Sequence, residues 1–175
     1  MEERKNRREA ILTVTIFAFV SAFILHELYK WTGGTRVVGL FVPVNESVWE
    51  HLKLAFYPVV VLMVYPLTKY QQQYPMTARI QSAAMASFLA LCVVLFGYYG
   101  IHTGLGINGP KIDLMIDIGL LLVGDFLGIY HGFAVADKNR GKIYTAVSLL
   151  WIFGMTLLFW WFTTHPGSAE VFRIP

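Results

Sequence analysis

Five apolar stretches, separated by short polar segments, follow one another along the chain. Each is about long enough to cross a bilayer, which takes roughly 20 residues of helix. The predicted spans are residues 10–28, 46–67, 78–102, 112–135 and 143–162. The pattern therefore predicts an all-α fold, a polytopic membrane bundle of five transmembrane helices that forms a single membrane domain over residues 1–175.

The predicted orientation follows from the lysines and arginines near the span ends. With the N-terminus inside, nine of them fall in cytoplasmic segments and five on the other side. Because basic residues are enriched on the cytoplasmic face, we expect a cytoplasmic N-terminus and a C-terminus outside. The basic residues 1–9 precede an apolar run that no cleavage-site pattern follows, so we expect an uncleaved signal-anchor helix.

Composition supports the membrane assignment and limits the partners. Charged residues make up 14% of the chain, against roughly 25% in a soluble domain. The net charge of +3 comes from residues at the membrane edges, so we predict the lipid bilayer as a partner and no nucleic acid. A protomer of five helices suggests a homo-oligomer as a further expectation. The single cysteine, Cys92, excludes an intrachain disulfide and a cysteine-type zinc motif.

Acidic and histidine residues from several span ends reach a similar depth on the predicted outer side. Such groups are costly near the hydrocarbon and usually face the bundle interior or water. The candidate residues for binding a cation or polar solute are Asn45, Glu46, Glu50, Lys53, Asp117 and Asp125. The candidate metal ligands are His26, His51 and His102, and a divalent metal such as zinc is the candidate cofactor.

Helical spacing refines this picture in the second span. At about 100° per residue, Glu46, Glu50 and Lys53 fall on one polar stripe, and His51 points away from Glu50. The same segment contains Ser47-x-x-Glu50, a capping box, so either glutamate could instead stabilise a helix start.

The fourth span carries an acid far from either surface. Asp125 lies about 18 Å along this helix, near the middle of the membrane, where it is either a neutral hydrogen-bonded acid or part of a relay with His131. Gly124, Gly128 and Gly132 have the spacing of close helix packing, the alternative being space for a solute beside the acid.

The hairpin between the first two spans has a recognisable motif. The run from His26 to Gly33 reads H-x-x-Y-x-W-T-G, and P-V-N-E-S-V-W-E-H-L-K-L follows from Pro43 to Leu54. Both segments resemble a family of small prokaryotic multi-pass membrane proteins of unknown function. The resemblance implies a bacterial or archaeal cytoplasmic (inner) membrane and no particular activity. It implies a functional face made of His26, Asn45, Glu46, Trp49, Glu50, His51 and Lys53.

Three functions are compatible with these residues. The first is an outer-facing site that binds a cation or small polar solute, for transport or sensing. The second is a metal-dependent intramembrane hydrolase acting on a lipid, with histidine and carboxylate ligands and one position left for water. The third is a non-catalytic scaffold or assembly factor in which the polar groups satisfy one another. The sequence leaves open whether the protein is an enzyme and assigns no catalytic residue.

Overall fold

The computed structural model describes residues 2–107 and 109–173, and the secondary structure in these ranges is entirely helical. The helices are α1 (Glu2–Trp31), α2 (Arg36–Gly39), α3 (Val48–Val64), α4 (Lys69–Gln72), α5 (Met76–Tyr99), α6 (Pro110–Ala136) and α7 (Lys142–Thr164). A π-helical turn, Gly100–Gly104, extends α5, and a 3₁₀ turn, Glu170–Phe172, follows α7. The predicted all-α fold is confirmed.

The five long helices coincide with the five predicted spans. Among the described residues, three helices are long and apolar enough to cross a membrane: Glu2–Trp31, Met76–Gly104 and Lys142–Thr164. Helix α3 has 17 residues, or about 26 Å at 1.5 Å per residue, which is less than the roughly 30 Å of a hydrocarbon core. Five crossings and the orientation of the termini therefore stay predictions.

Helices α5 and α6 form the closest pair in the bundle, and glycines on α6 make this possible. A Cβ atom on Gly128 would lie 2.3 Å from the backbone oxygen of Ala86, and one on Gly132 would lie 2.9 Å from that of Ser82. No side chain fits at such distances, so these two positions need glycine. The predicted packing role of the α6 glycines is confirmed.

The segment between α1 and α3 folds back onto the bundle instead of extending away from it. Gly39 and Val42 are buried there, and a Cβ atom on Gly39 would lie 2.6 Å from Val44. This return brings the residues before α3 against the C-terminal part of α1. The candidate site forms at this end of the bundle.

Candidate functional site

Three candidate residues bring side-chain atoms that can bind a metal together at the junction of α1 and α3. The Nε2 atoms of His26 and His51 lie 3.1 Å apart. A carboxylate oxygen of Glu46 lies 3.5 Å from the first and 3.4 Å from the second. The three residues form a group that could hold a metal ion, and we call it the His/Glu triad.

The other ring nitrogen of each histidine already has a partner. Nδ1 of His51 lies 3.0 Å from the backbone oxygen of Ser47. Nδ1 of His26 lies 3.0 Å from a carboxylate oxygen of Glu27. Because both partners are acceptors, they assign the proton to Nδ1 in each neutral imidazole. Both Nε2 atoms then present lone pairs to each other and to the Glu46 carboxylate.

The dimensions of the triad match those of a tetrahedral metal site. With metal–nitrogen bonds of about 2.0–2.1 Å, neighbouring ligand atoms stand roughly 3.3 Å apart, and two rings aimed at one ion have centroids about 5 Å apart. The distances among the two Nε2 atoms and the Glu46 oxygen lie between 3.1 and 3.5 Å. The ring centroids of His26 and His51 are 5.1 Å apart. The arrangement offers three ligands of such a site.

A second cluster also uses α3, where Glu50 and Lys53 stand before and after His51 in the chain. The Lys53 ammonium, which is fully buried, donates to a Glu50 carboxylate oxygen at 2.7 Å and to the backbone oxygen of Gly39 at 2.8 Å. Thr163 at the end of α7 accepts from Lys53 at 2.7 Å and donates to Glu50 at 2.8 Å. The backbone nitrogen of Val44 also donates to Glu50, at 3.0 Å. We call Glu50, Lys53 and Thr163 the lysine network.

The predicted stripe on the second span is wrong in one respect. Helix α3 begins at Val48, so Glu46 belongs to the preceding loop and not to the helix. Ser47 caps the helix by accepting from the backbone nitrogen of Glu50, as the motif predicted. Asn45 accepts from the backbone nitrogen of Ser47, at 2.9 Å, and thereby takes the role that a capping box gives to Glu50. Glu46, which precedes the helix, lies beside the two histidines instead.

His102 belongs to a third group, at the start of α6. Its two ring nitrogens lie 3.4 Å from Asp113 and 3.8 Å from Asp117. Asp117 also lines the same cavity as the triad. The structure thus places His102 beside the triad, with Asp117 between them.

Asp125 does not join any of these groups. Its side chain is fully buried, and neither carboxylate oxygen has a hydrogen-bond partner among the described residues. It lies between Gly124 and Gly128, on the part of α6 that packs tightly against α5. His131, its suggested relay partner, is exposed.

Two functional features escaped the sequence analysis. Thr163 closes the lysine network, and its only signal was a hydroxyl near the end of the fifth span. The apolar wall beside the triad comes from four helices and has no local motif at all. Ala22, Leu54, Val94 and Leu121 belong to it.

These observations define a class of protein: a helical bundle with membrane-length apolar helices and a His/Glu cluster at one end. The chain belongs to a family of unknown function, DUF6512, whose model matches residues 1–174. No curated protein matches the chain, and no solved structure does.

Proposed function

We propose that the protein is a five-span integral membrane protein that holds a divalent transition metal, zinc first, at the His/Glu triad. The observation that carries this proposal is the convergence of three acceptor atoms within 3.5 Å while both Nδ1 atoms are engaged elsewhere. In the predicted orientation the site lies at the outer face of a prokaryotic cytoplasmic membrane.

A cation is needed because the three atoms repel one another. Two imidazole lone pairs and a carboxylate at these distances have no donor among them when both rings are neutral. A proton would bridge two of the atoms and leave the third poorly placed. A zinc ion binds all three at their observed separations, so the geometry favours the metal over the proton.

The hydrogen-bond partners of the two histidine ligands favour a metal that stays bound over one that is transported. A histidine ligand usually donates its other ring nitrogen to a carboxylate or a backbone carbonyl, which fixes the ring. His26 has the first kind of partner in Glu27, and His51 has the second in Ser47. Below the triad the cavity wall is formed by apolar residues such as Leu54 and Leu121. An apolar wall of this kind suits a metal ion that stays bound better than a path along which ions move.

The scaffold hypothesis fits the lysine network and not the triad. Glu50, Lys53 and Thr163 satisfy one another and tie the loop before α3 to α7. We therefore assign them the support of the loop that carries Glu46.

The test is metal analysis of the protein purified without chelators and equilibrated with zinc. We expect about one tightly held ion per chain in the wild type, and loss of that ion in His26→Ala and in His51→Ala. His131→Ala is the matched control, because this histidine is exposed and lies outside the cluster. Cobalt substitution should give the intense visible bands of tetrahedral coordination. Equal zinc content in wild type and His51→Ala, with both proteins folded, would overturn the proposal.

A further inference from the structure

The triad opens onto a cavity of about 380 Å³ enclosed by α1, α3, α5 and α6. This volume lies within the range of roughly 300–1,000 Å³ found for small-molecule sites. Apolar residues, among them Ala22, Leu54, Val94 and Leu121, line most of it, and its polar lining consists of Glu46, His26, His51, Asp117 and Tyr98. The cavity is therefore amphipathic, with an apolar body and a polar end.

The mouth of this cavity lies in the side of the bundle. Phe23 on α1 and Leu114 on α6 both line it, and they are 47% and 61% exposed. Phe23 lies eight residues before the end of α1, and Leu114 lies four residues after the start of α6. At 1.5 Å per residue this places the mouth about 6–12 Å from the helix ends. In a bilayer such an opening meets acyl chains, so an amphiphile can enter directly from the membrane.

The polar end has the composition of a catalytic metal site. Structural zinc sites take four protein ligands, whereas catalytic sites take three and keep one position for water or substrate. The triad provides three. Asp117 lines the same cavity without belonging to the triad, so it is the candidate general base.

Resting on the proposed metal site, we propose that this cavity binds a single-chain acyl ester or acyl amide and hydrolyses it. The acyl chain occupies the apolar body, and the carbonyl group lies at the triad. The oxygen of a water molecule forms a bond to the carbonyl carbon, and the bond from that carbon to the ester oxygen or amide nitrogen breaks. Asp117 takes a proton from the water and returns it to the leaving alcohol or amine, so the products are a fatty acid and that alcohol or amine.

The bound ion would supply a Lewis acid for the carbonyl oxygen and lower the pKa of a coordinated water. The chain itself contributes the orientation. His26 and His51 are fixed through their Nδ1 atoms, and the apolar walls exclude bulk water from the chain-binding part. The reaction needs no co-reactant other than water.

The test uses zinc-loaded full-length protein in detergent and three fluorogenic probes: the palmitoyl and acetyl esters of 4-methylumbelliferone and the palmitoyl amide of 7-amino-4-methylcoumarin. We expect the wild type to hydrolyse a palmitoyl probe with a kcat/KM at least about 100-fold above that of the acetyl ester, because only the long chain fills the cavity. Asp117→Asn should retain zinc and lose about 10²- to 10⁴-fold in kcat.

A cavity-filling variant separates chain binding from the metal. Ala22→Phe places a ring in the cavity, so it should retain zinc and lose activity on the palmitoyl probes. Leu150→Trp is the matched control, because this residue is 74% exposed on α7 and does not line the cavity. Palmitoyl hydroxamate, a long-chain zinc chelator, should bind the zinc-loaded wild type and not zinc-loaded Ala22→Phe, whatever head group the enzyme prefers.

The outcomes distinguish the two proposals. A protein that binds zinc at the triad but neither hydrolyses the palmitoyl probes nor binds the hydroxamate overturns the hydrolase and leaves the metal site standing. A protein without zinc at the triad overturns both. Equal rates on palmitoyl and acetyl esters overturn the acyl-chain assignment, and full activity in Asp117→Asn overturns the role of that carboxylate.

Discussion

The His/Glu triad and the lysine network share α3, through His51 in the first and through Glu50 and Lys53 in the second, yet their hydrogen bonding is opposite in character. In the lysine network, Lys53 donates to Glu50, to Thr163 and to the backbone oxygens of Gly39 and Val42. In the triad, two histidine nitrogens and a carboxylate oxygen lie within 3.5 Å of one another, and all three are acceptors when both rings are neutral with the proton on Nδ1. The first cluster is complete within the protein. In the proposed function, the second becomes complete when a cation binds.

The difference teaches that buried polar residues near a predicted membrane face need not share a role. A fully satisfied network rigidifies the structure around it, whereas converging acceptors store an unfavourable interaction that a ligand relieves. The lysine network fixes the loop before α3 through Val44 and Gly39. That loop carries Glu46, so the complete cluster supports the incomplete one.

The largest expected effect is on the lysine network. Lys53→Met leaves the Glu50 carboxylate buried without its counter-charge, and we expect a loss of about 3–5 kcal/mol in the free energy of unfolding. Thermal or urea unfolding in detergent measures it. Lys30→Met is the matched control, because Lys30 pairs with Glu27 at 3.5 Å on the surface and should change stability far less. Equal effects of the two substitutions would contradict the assignment of Lys53 as the centre of a buried network.

Zinc should stabilise the protein through the triad alone. At a free zinc concentration 100 times the dissociation constant, mass action adds about 2.7 kcal/mol to the free energy of unfolding. We expect this gain in the wild type and in His131→Ala, whose substituted residue is exposed and lies outside the triad, and no gain in His51→Ala. The unfolding transition with and without zinc measures it. A zinc-dependent shift in His51→Ala would place the ion elsewhere.

The helices could be predicted from the sequence, but the division between these two clusters could not. Apolar runs of membrane length predict helices directly, and the five long helices lie where they were expected. The division depends on where α3 begins. Glu46 and Glu50 are one turn apart on an ideal helix, yet Asn45 and Ser47 hold the chain so that the helix starts at Val48. Because the helix starts between them, the two glutamates contact different partners.

Long-range parts of the site were beyond sequence reasoning for a different reason. Thr163 reaches the lysine network from 110 residues away, and the cavity wall combines side chains of α1, α3, α5 and α6. Such contacts depend on how helices rotate and cross. The hydrophobic pattern leaves these variables open when most of each helix is apolar.

A smaller effect is expected from the residue behind His26. Glu27→Ala removes the acceptor for the Nδ1 proton, so the ring is held less firmly, and we expect a 10- to 100-fold loss of zinc affinity. Competition with a chromogenic chelator measures this affinity. Glu9→Ala, at an exposed pair with Lys5, is the control and should leave the affinity unchanged. An unchanged affinity in Glu27→Ala would show that the rest of α1 fixes His26 without this contact.

The smallest expected effect gives the most direct comparison of the two clusters. A Glu→Gln substitution should change the free energy of unfolding with opposite signs in the triad and in the lysine network. In the metal-free protein, Glu46→Gln introduces an amide N–H beside two histidine lone pairs that lie 3.4–3.5 Å from the present carboxylate. A new hydrogen bond replaces repulsion, so we expect a gain of about 1 kcal/mol in the free energy of unfolding. Glu50→Gln replaces the charged acceptor of Lys53 with a neutral amide, so it should destabilise the protein.

Unfolding of both variants in the presence of a chelator measures the signs of these two changes. A zinc titration should then reverse the order of stability between Glu46→Gln and the wild type. Glu46→Gln gains stability when the metal is absent but loses a ligand, so zinc should stabilise it less than the wild type. A destabilised Glu46→Gln would mean that its carboxylate already has a donor in the metal-free protein, such as a protonated histidine. In that case the triad would be complete with a proton and would have no need of a metal.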